Sequence, residues 1–338
     1  MAAELAVIIP TWDGARVLEP CMLTLAQHLA GTATEVIVFD NGSTDGSADI
    51  AEGFADRLVV RVVRSPVNVG YAAACNRAAG MTRAPFLLLL NNDTRLTGST
   101  EPAVRYLRDH PHVAVCQGPL LTADGRYIDS VGSLMTRWGF LYHSFMGESS
   151  DDLPPSRAVF SVKGAAMFVR REALGQAPLF DEDAVAYFEE SDLCWRVQVA
   201  GWKVEYLREL PPVLHESGFT ANRLPHAVWE RHSFKNRLRA ILKNTEMRTM
   251  AAMIPMHLFL CAAASADGLR HGSRDPCVSV GRAVFWNLVH LRGTLRLRTA
   301  VQQSRRKRDA EVFADVWRGM SLRDFHRQRA AYFRAHGQ

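Results

Sequence analysis

The feature that most constrains the fold is an unbroken apolar run, LLLL at residues 87–90, followed at once by Asn91, Asn92 and Asp93. A run this short and this apolar predicts a strand buried on both faces, and such strands lie inside mainly parallel sheets. In open α/β sheets, ligands bind beyond the carboxyl ends of the strands, so Asp93 is placed to meet one. A carboxylate there can hold a divalent cation and, through it, a diphosphate. The competing interpretation is a turn that caps the next helix.

The composition predicts a soluble protein of the cytoplasm. The 338 residues, 48% of them apolar, suffice for one large domain or two smaller ones. Residues 1–10 lack a basic leader followed by an apolar stretch, so we expect no secretion. The six cysteines are scattered, without the spacing of a metal-binding motif, which favours reduced thiols.

Strand and helix signals alternate through the first third of the chain. Strand patterns cover residues 5–10, 35–40, 58–64 and 86–91, and helix patterns cover 15–29, 47–54, 71–80 and 100–110. This order is typical of a nucleotide-binding α/β domain with a parallel sheet. Polar residues follow the strands, so we expect the loops at that edge of the sheet to converge on one cleft.

A nucleotide has to be held without the usual glycine-rich motifs, because neither GxGxxG nor GxxxxGK[ST] is present. Trp12 can stack on a base, and Asp40 can accept a hydrogen bond from a base N–H or a ribose hydroxyl. The helix starts near Ser47 and Tyr71 favour phosphate. Each residue also has an ordinary structural interpretation, in the core or in a turn. Their combination is what indicates a nucleotide site.

Later segments add further candidates. A polar insert at residues 148–157 is predicted to be a mobile surface loop, and a strand at 161–169 includes Gly164, where either a ligand or a packed neighbour can approach the backbone. Glu190, in an acidic segment at the start of a predicted helix over 191–200, is either a capping residue or a general base tuned by burial and neighbouring acids. His215, after a short strand at 201–207, is a candidate metal contact.

At this point the chain resembles a known family, the family 2 inverting glycosyltransferases of GT-A fold, particularly the bacterial rhamnosyltransferase-like members. The resemblance covers residues 5–245 and rests on VIIPTW (7–12), VFDNGSTDGS (38–47), NVGYAAACN (68–76), LNND (90–93), Gly164, FDE (180–182), EESDL (189–193), GW (201–202) and His215. It implies an α/β GT-A fold with a mixed, mainly parallel central sheet. The implied domains are a catalytic one at 1–230, with a nucleotide-binding half at 1–110 and an acceptor half at 111–230, and a helical, basic region at 231–338.

The resemblance also implies roles for individual residues. Those implied at the nucleotide are Thr11, Trp12, Asp40, Asn68, Gly70 and Asn92. Those implied at a Mg²⁺ or Mn²⁺ ion are Asp93, His215 and Asn91, and those at the donor sugar or acceptor are Gly164, Glu189 and Asp192. Glu190 is implied as the catalytic base. The chain departs from the family pattern twice: Asn91 replaces the first Asp of the Asp-x-Asp motif, which weakens the charge at the metal, and Glu190 stands where many relatives carry Asp.

The implied function is metal-dependent transfer of a sugar, with inversion, from dTDP-rhamnose or a UDP-hexose to a hydroxyl of a glycan or polyprenyl-diphosphate-linked acceptor, in cell-surface polysaccharide synthesis. Uracil and thymine suit Trp12 and Asp40 equally, because both present the same N3–H. Asn91 leaves open a sugar-nucleotide-binding protein without catalysis. The basic C-terminal region leaves open a nucleic-acid-binding protein. We expect no nucleic-acid partner, however, since zinc-finger, RNP-type and basic-zipper patterns are absent and the acidic half repels phosphates.

Charge is distributed unevenly along the chain. From residue 223 to the end there are 22 Lys and Arg against 8 Asp and Glu, whereas residues 1–222 contain 18 against 27, so we expect the two parts to face different partners. Helix patterns cover 231–239, 250–266 and 284–298, and the apolar run at 250–266 is short for a membrane span and contains Pro255. Arg-rich flanks favour an interfacial helix, peripheral on the inner face of the cell membrane. A helical core packed on the catalytic domain and a homodimer surface are the alternatives.

Overall fold

The computed structural model describes residues 3–216, 226–270, 272 and 274–318, with the backbone alone for 226–230, 264, 267 and 318. A mixed eight-stranded sheet lies at the centre. In spatial order its strands are β11 (Arg157–Ala158), β13 (Lys203–Tyr206), β6 (Val113–Gln117), β12 (Ala166–Arg170), β4 (Phe86–Leu90), β1 (Leu5–Thr11), β2 (Thr34–Asp40) and β3 (Val60–Arg64). Strands β4, β1, β2 and β3 are parallel, and β12 runs antiparallel between β4 and β6. The sheet is therefore mixed and mainly parallel, as expected.

Helices cover the central sheet, and two small sheets extend it. The first helices are α1 (Ala15–Leu29), α2 (Ser47–Glu52), α3 (Tyr71–Gly80), α4 (Glu101–Asp109) and α5 (Glu189–Val199). One small sheet has the order β5 (Thr94–Leu96), β14 (Val213–His215), β7 (Leu120–Thr122), β8 (Ile128–Ser130), and the other β10 (Leu141–His143), β9 (Ser133–Thr136), β15 (Trp317–Arg318). The C-terminal helices are α6 (His226–Asn244), α7 (Met247–Arg270), α8 (Asp275–Val289), α9 (Leu291–Ser304) and α10 (Asp309–Phe313).

The apolar run that opened the sequence forms β4, in the interior of the sheet, with every side chain buried. Leu88 and Leu90 pack with α1 on one face of the sheet, and Leu87 and Leu89 pack with α3 on the other. This alternation follows from the two-residue period of a strand. Burial on both faces explains why the run has no polar member, and it fixes the position of Asn91–Asp93 at the carboxyl edge.

Three differences from the sequence pattern affect the site or the C-terminal helices. The strand expected over 161–169 is β12, which begins only at Ala166, because Ser161 forms an isolated bridge to Ser133 instead of joining the central ladder. The helix expected over 191–200 is α5, which begins two residues earlier, so that Glu190 lies in its first turn. The single helix expected over 284–298 is wrong. The chain turns at His290 between α8 and α9, which lets both helices pack against α6.

The C-terminal helices pack against the rest of the chain. A third apolar cluster joins them to it, with Trp195 of α5 meeting Ile241 of α6 and Phe313 of α10. The acidic part of the chain (residues 1–222) and the basic part (residues 223–338) also contact each other. The expectation that the two parts face different partners is therefore wrong for the cations of α6, which are described below. The predicted domain boundary at residue 230 lies inside α6 and stays a prediction.

One helix, α7, has the length and apolar composition needed to cross a membrane. Its 24 residues reach a mean hydropathy of 1.5 over the most apolar window, and 24% of that window is buried within the protein. A single such helix is weak evidence for a span, and Pro255 lies inside it.

Candidate active site

The loop after β1 is tied to the loop after β4. The side-chain amide of Asn92 donates to Thr11 Oγ1 over 2.8 Å, and both residues are buried. A Cβ at Gly14 would lie 2.2 Å from Asn92 Nδ2, so glycine is required for this close approach. Trp12 lies half-buried in the same loop. Thr11 and Asn92, both expected at the nucleotide, therefore brace the edge of the sheet beside Trp12.

Asn41 connects the loops after β2 and β3. Its Nδ2 donates to Asn68 Oδ1 over 3.0 Å, its Oδ1 accepts from the Val69 amide over 2.8 Å, and Asn68 Oδ1 also accepts from the Gly70 amide over 2.9 Å. Asp40 is buried beside it and accepts from the Ser43 amide over 3.1 Å. The structure thus brings Asp40, Asn68 and Gly70 together as expected. Sequence reasoning missed Asn41, although its place directly after Asp40 at a strand end was a signal.

Asp93 and His215 meet at the same edge of the sheet. Pairing of β14 with β5 sets His215 opposite Thr94, which leaves His215 Nε2 3.4 Å from Asp93 Oδ1. Both side chains are buried, and Asp93 Oδ1 has no hydrogen-bond partner among the residues that the structure describes. A buried carboxylate oxygen without a donor costs free energy, so this atom suits a cation.

Asp129 and Lys163 support His215 from behind. His215 Nδ1 lies 2.8 Å from Asp129 Oδ2, and Lys163 Nζ lies 2.7 Å from Asp129 Oδ1. Burial opposes a charge on His215, but the Asp129 and Asp93 carboxylates outweigh it and raise its pKa. Burial likewise opposes the charge of Asp129, yet Lys163 and His215 hold the pKa of that carboxyl well below its ordinary value. A carboxylate behind a histidine is the usual support of a metal-binding imidazole, and sequence reasoning identified neither Asp129 nor Lys163.

Few side chains beside Asp93 and His215 are available as metal ligands. Within the described ranges, no three His, Cys, Asp or Glu side chains form a metal-binding group. Asn91, expected as a further ligand, has its Oδ1 3.3 Å from the Tyr71 hydroxyl. The protein therefore offers Asp93 and His215, which suits an ion that takes its remaining oxygens from a bound diphosphate.

Tyr71 connects the candidate metal site to Glu190, the candidate base. Its hydroxyl lies 3.4 Å from the Gly164 carbonyl oxygen, and a Cβ at Gly164 would be 3.7 Å from Glu190 Cβ. Gly164 thus lies beside Tyr71 and Glu190, at a position where the sequence left open either a ligand or a packed neighbour.

Glu189 and Glu190 share the first turn of α5. Glu189 is buried, and its Oε2 has no hydrogen-bond partner among the described residues, whereas Glu190 is half-buried. Burial raises the pKa of both carboxyls, and the charge of Glu190 raises that of Glu189 further. A half-buried carboxyl with a raised pKa can accept a proton near neutral pH.

The segment before α5, residues 180–188, is strained, and we call it the acidic strap. Val185, Tyr187 and Phe188 have φ values of 65°, 68° and 72°. Left-handed backbone at residues other than glycine costs about 1–3 kcal/mol each and persists only where the surroundings hold it. The strap therefore needs support from elsewhere in the fold.

Helix α6 supplies that support. Asn236 Nδ2 lies 2.8 Å from the Ala186 carbonyl oxygen and 2.5 Å from that of Tyr187. Arg239 pairs with Asp181 over 2.7 Å, and Lys243 pairs with the same carboxylate over 2.6 Å. Burial opposes the charge of Asp181, but Lys243 and Arg239 hold its pKa well below the ordinary value.

Asp192, expected at the sugar, takes part in this support. It is buried, and its two carboxylate oxygens accept from Lys243 Nζ over 3.0 Å and from Asn244 Nδ2 over 2.8 Å. Both carboxylate oxygens of Asp192 are thus engaged by α6, and its place at the sugar stays a prediction.

Comparison with known proteins identifies the family to which this chain is related. The sequence model of Glycosyl transferase family 2 matches residues 6–176. The N-acetylglucosaminyl-diphospho-decaprenol L-rhamnosyltransferase of Mycobacterium tuberculosis is 29% identical over 256 residues, 67% of this chain and 80% of that protein. A PGL/p-HBAD biosynthesis glycosyltransferase of Mycobacterium bovis is 36% identical over 98 residues, 28% of this chain and 38% of that protein.

Solved structures show the same fold. Residues 1–349 of S. aureus TarS, in complex with UDP-GlcNAc, superpose with a TM-score of 0.57 at 16% identity, covering 96% of this chain and 92% of that one. The mannosyltransferase of Pyrobaculum calidifontis, in complex with GDP-Man and Mn²⁺, superposes with a TM-score of 0.53 at 16% identity, covering 90% and 86%. The GT-A fold expected from the sequence is confirmed. Since the family model spans about half of the chain, this protein belongs to glycosyl transferase family 2 and is a glycosyltransferase.

Proposed function

We propose that this glycosyltransferase moves a sugar, with inversion, from a nucleotide-diphosphate donor to a hydroxyl of a polyprenyl-diphosphate-linked or glycan acceptor during cell-surface polysaccharide synthesis. One observation carries the proposal. Asp93 Oδ1 accepts no hydrogen bond from the described residues and lies 3.4 Å from the His215 imidazole, and the neighbouring Asn91 is connected to Glu190 through Tyr71 and Gly164. A diphosphate site and a candidate base thus flank one small space.

The donor is bound at the carboxyl edge of the parallel strands. Trp12 stacks on the base and Asp40 accepts from its N3–H or from ribose, while the other nucleotide contacts come from Thr11, Asn68, Gly70 and Asn92. The mycobacterial relative is an L-rhamnosyltransferase, which favours dTDP-rhamnose. A UDP-hexose is the second choice, supported by the UDP-GlcNAc complex of the structural neighbour.

The residues present fit a divalent cation, Mg²⁺ or Mn²⁺, held by Asp93 and His215, with Asn91 nearby. Such an ion, when bound, offsets the charge that develops on the leaving diphosphate. Asp129 and Lys163 keep the His215 imidazole oriented towards Asp93.

Glu190 performs the proton transfer. It takes the proton of the acceptor hydroxyl as that oxygen bonds to the anomeric carbon and the bond from this carbon to the diphosphate breaks. A single displacement inverts the anomeric configuration. Glu189 and Gly164 line the space for the sugar, and the strap holds Glu190 in position for attack.

The basic C-terminal region bears on where in the cell the enzyme acts. We infer that α7–α9 hold the enzyme on the cytoplasmic face of the membrane, where lipid-linked acceptors lie. The relative that acts on a decaprenol-linked sugar supports this location, and a homodimer through the same helices is the competing arrangement.

The test begins with donor binding. Thermal shifts are measured with dTDP-rhamnose, UDP-glucose, UDP-N-acetylglucosamine and GDP-mannose, each with and without Mn²⁺, since a ligand that binds only the folded state raises Tm. We expect stabilisation by a thymidine or uridine donor, larger with metal, followed by transfer to a polyprenyl-diphosphate-linked sugar. Stabilisation without transfer or donor hydrolysis would favour the non-catalytic sugar-nucleotide-binding alternative. Binding to DNA at physiological salt with no donor shift would favour the nucleic-acid one.

A further inference from the structure

A second cleft lies beside the acidic strap. It encloses about 480 Å³ between the strap, α6 and α8. Four of its basic side chains are Arg231, Lys235, Arg282 and His290. This cleft contains none of the nucleotide, metal or base residues named in the proposed function.

Two of these cations have no counter-ion among the residues that the structure describes. Neither Arg231 nor Arg282 makes a hydrogen bond or ion pair with any residue in the described part of the chain. His232 also lines the cleft, and its buried Nδ1 has no hydrogen-bond partner there either. Burial, with Lys235 and Arg231 beside it, lowers the pKa of His232 to about 4. At neutral pH His232 adds no charge, so the positive charge of the wall comes from Arg231 and Arg282, and two such guanidinium groups are the chemistry of an anion site.

The acids at the cleft are already bonded elsewhere. Asp183 pairs with Arg239 over 2.7 Å, and Glu182 accepts from Asn76 Nδ2 over 3.1 Å. Lys235 Nζ lies 2.5 Å from the Asp183 carbonyl oxygen and 4.5 Å from the ring centroid of Trp286. The basic groups thus outnumber the acidic ones, and Trp286 holds Lys235 at the wall.

Apolar side chains continue from the cleft along α8. Phe285 and Val289 line it and are 68% and 60% exposed, and the neighbouring Leu288 is 65% exposed. Large apolar groups this exposed are unfavourable in water, so they suit an apolar ligand chain. A cationic wall beside an apolar lip fits an amphiphile with an anionic head.

The cleft and the active site share a wall. Val185 lines the cleft, and its carbonyl oxygen accepts from the Ala72 amide over 3.2 Å, at the first turn of α3. A Cβ at Gly70 would lie 3.3 Å from Val185 Cγ1. Gly70 belongs to the nucleotide edge and precedes Tyr71 in the chain. Val185 therefore separates a ligand in the cleft from the loop that lies beside Glu190.

We propose that this cleft binds the diphosphate of a prenyl-diphosphate-linked acceptor, with the prenyl chain along Phe285, Leu288 and Val289 and the saccharide directed past Val185. The assignment rests on the proposed function for its lipid-linked acceptor. The cationic wall and the apolar lip argue for it independently of the donor.

Binding to the cleft is tested with farnesyl diphosphate, pyrophosphate and farnesol by titration calorimetry. We expect farnesyl diphosphate to bind more tightly than either of the others. Arg282→Ala and Arg231→Ala should each weaken its binding about tenfold, the effect of losing one charge-assisted contact. Arg292→Ala, at an exposed arginine on α9 outside the cleft, is the matched control. Equal losses in all three variants, or none, would overturn the assignment.

The apolar lip has its own test. Phe285→Ser should reduce the affinity for farnesyl diphosphate and leave that for pyrophosphate unchanged. Pyrophosphate binding as tightly as farnesyl diphosphate, with no effect of Phe285→Ser, would show a site for free diphosphate and overturn the lipid assignment.

Donor measurements separate this inference from the function itself. Arg282→Ala and Arg231→Ala should keep the wild-type thermal shift with the donor and raise KM for a polyprenyl-linked acceptor alone. Failure of the proposed function appears as wild-type protein that neither binds nor transfers a sugar nucleotide. Failure of the cleft assignment appears as normal transfer with an unchanged acceptor KM in both variants.

Discussion

The side-chain amide of Asn236 lies 2.5 Å from the carbonyl oxygen of Tyr187, a residue whose φ is 68° and which precedes the candidate base by three positions. The same amide is 2.9 Å and 2.8 Å from the carbonyl oxygens of Ala184 and Ala186. Helix α6 therefore fixes the strained backbone of the strap, and through it the first turn of α5. A helix from the basic C-terminal region thus supports the helix that carries the candidate base.

Replacing Asn236 with Ala should lower kcat between about 10- and 100-fold, because a small misplacement of the base is costly even when the change is remote. The KM for the donor should change little, since the nucleotide loops do not contact Asn236. Gln302→Ala is the control, because Gln302 also donates its side-chain amide to a backbone carbonyl of α6, that of Lys243, and makes no hydrogen bond to the strap within the described part of the chain. Equal losses of kcat in the two variants would mean that only general stability is affected.

The two glutamates at the start of α5 should differ in their effect on turnover. Glu190→Gln removes the proton acceptor and should reduce kcat by about 10²–10⁴-fold, while the thermal shift with the donor is retained. Glu189→Gln should keep most activity, because the amide has nearly the same size and Glu189, which is buried, does not take the proton. Steady-state kinetics and donor thermal shifts on both variants make the comparison. Full turnover by Glu190→Gln would remove the base assignment.

The sequence predicted those parts of the site that local pattern determines. The four apolar residues before Asn91 could only be an interior strand, and the parallel topology then brought Asp93 to the same edge as Thr11 and Asp40. Asp129, Lys163 and Asn236 lie in no motif that the resemblance covers, and they act through contacts between residues distant in sequence. Asp192 shows the converse, since a motif position suggested a ligand where the fold uses an ion pair with Lys243.

Metal dependence should follow the pair Asp93 and His215. Chelation by EDTA should abolish transfer and added Mn²⁺ should restore it. Asp93→Asn removes a negative charge from the metal site, and Asp129→Asn removes the carboxylate that orients the His215 imidazole. Each substitution should raise the Mn²⁺ concentration for half-maximal activity by about 10- to 100-fold. Asp124→Asn, at an exposed acid, is the control and should titrate like the wild type. Undiminished sugar transfer in EDTA would show that the site of Asp93 and His215 does not require a metal.

Stability should depend on pH through Glu189. Burial raises the pKa of Glu189, so the folded protein binds this proton more tightly than the unfolded chain does. The free energy of unfolding therefore falls as pH rises above the ordinary carboxyl pKa of about 4.3, up to the raised value. Glu189→Gln lacks this dependence, and its Tm relative to wild type should increase between pH 4.5 and pH 8. Glu172→Gln, at an exposed glutamate, should show a constant difference.

The exposed apolar side chains of α7 and α8 should determine membrane association. Phe259 and Phe285 are 65% and 68% exposed, and Arg292 and Arg296 are exposed on α9. Binding to vesicles with phosphatidylglycerol should exceed binding to neutral phosphatidylcholine and decline with salt, because basic residues are attracted to anionic lipid.

Phe259→Ser isolates the apolar part of that binding. Losing a buried phenylalanine costs about 1.5–3 kcal/mol, so vesicle affinity should fall at least about tenfold. Val59→Ser, at a residue 70% exposed in the nucleotide-binding half, is the matched control and should not change it. If Phe259→Ser dissociates a dimer and leaves vesicle binding unchanged, the apolar face covers a second copy of the chain. In that case the enzyme reaches its acceptor without an interfacial helix.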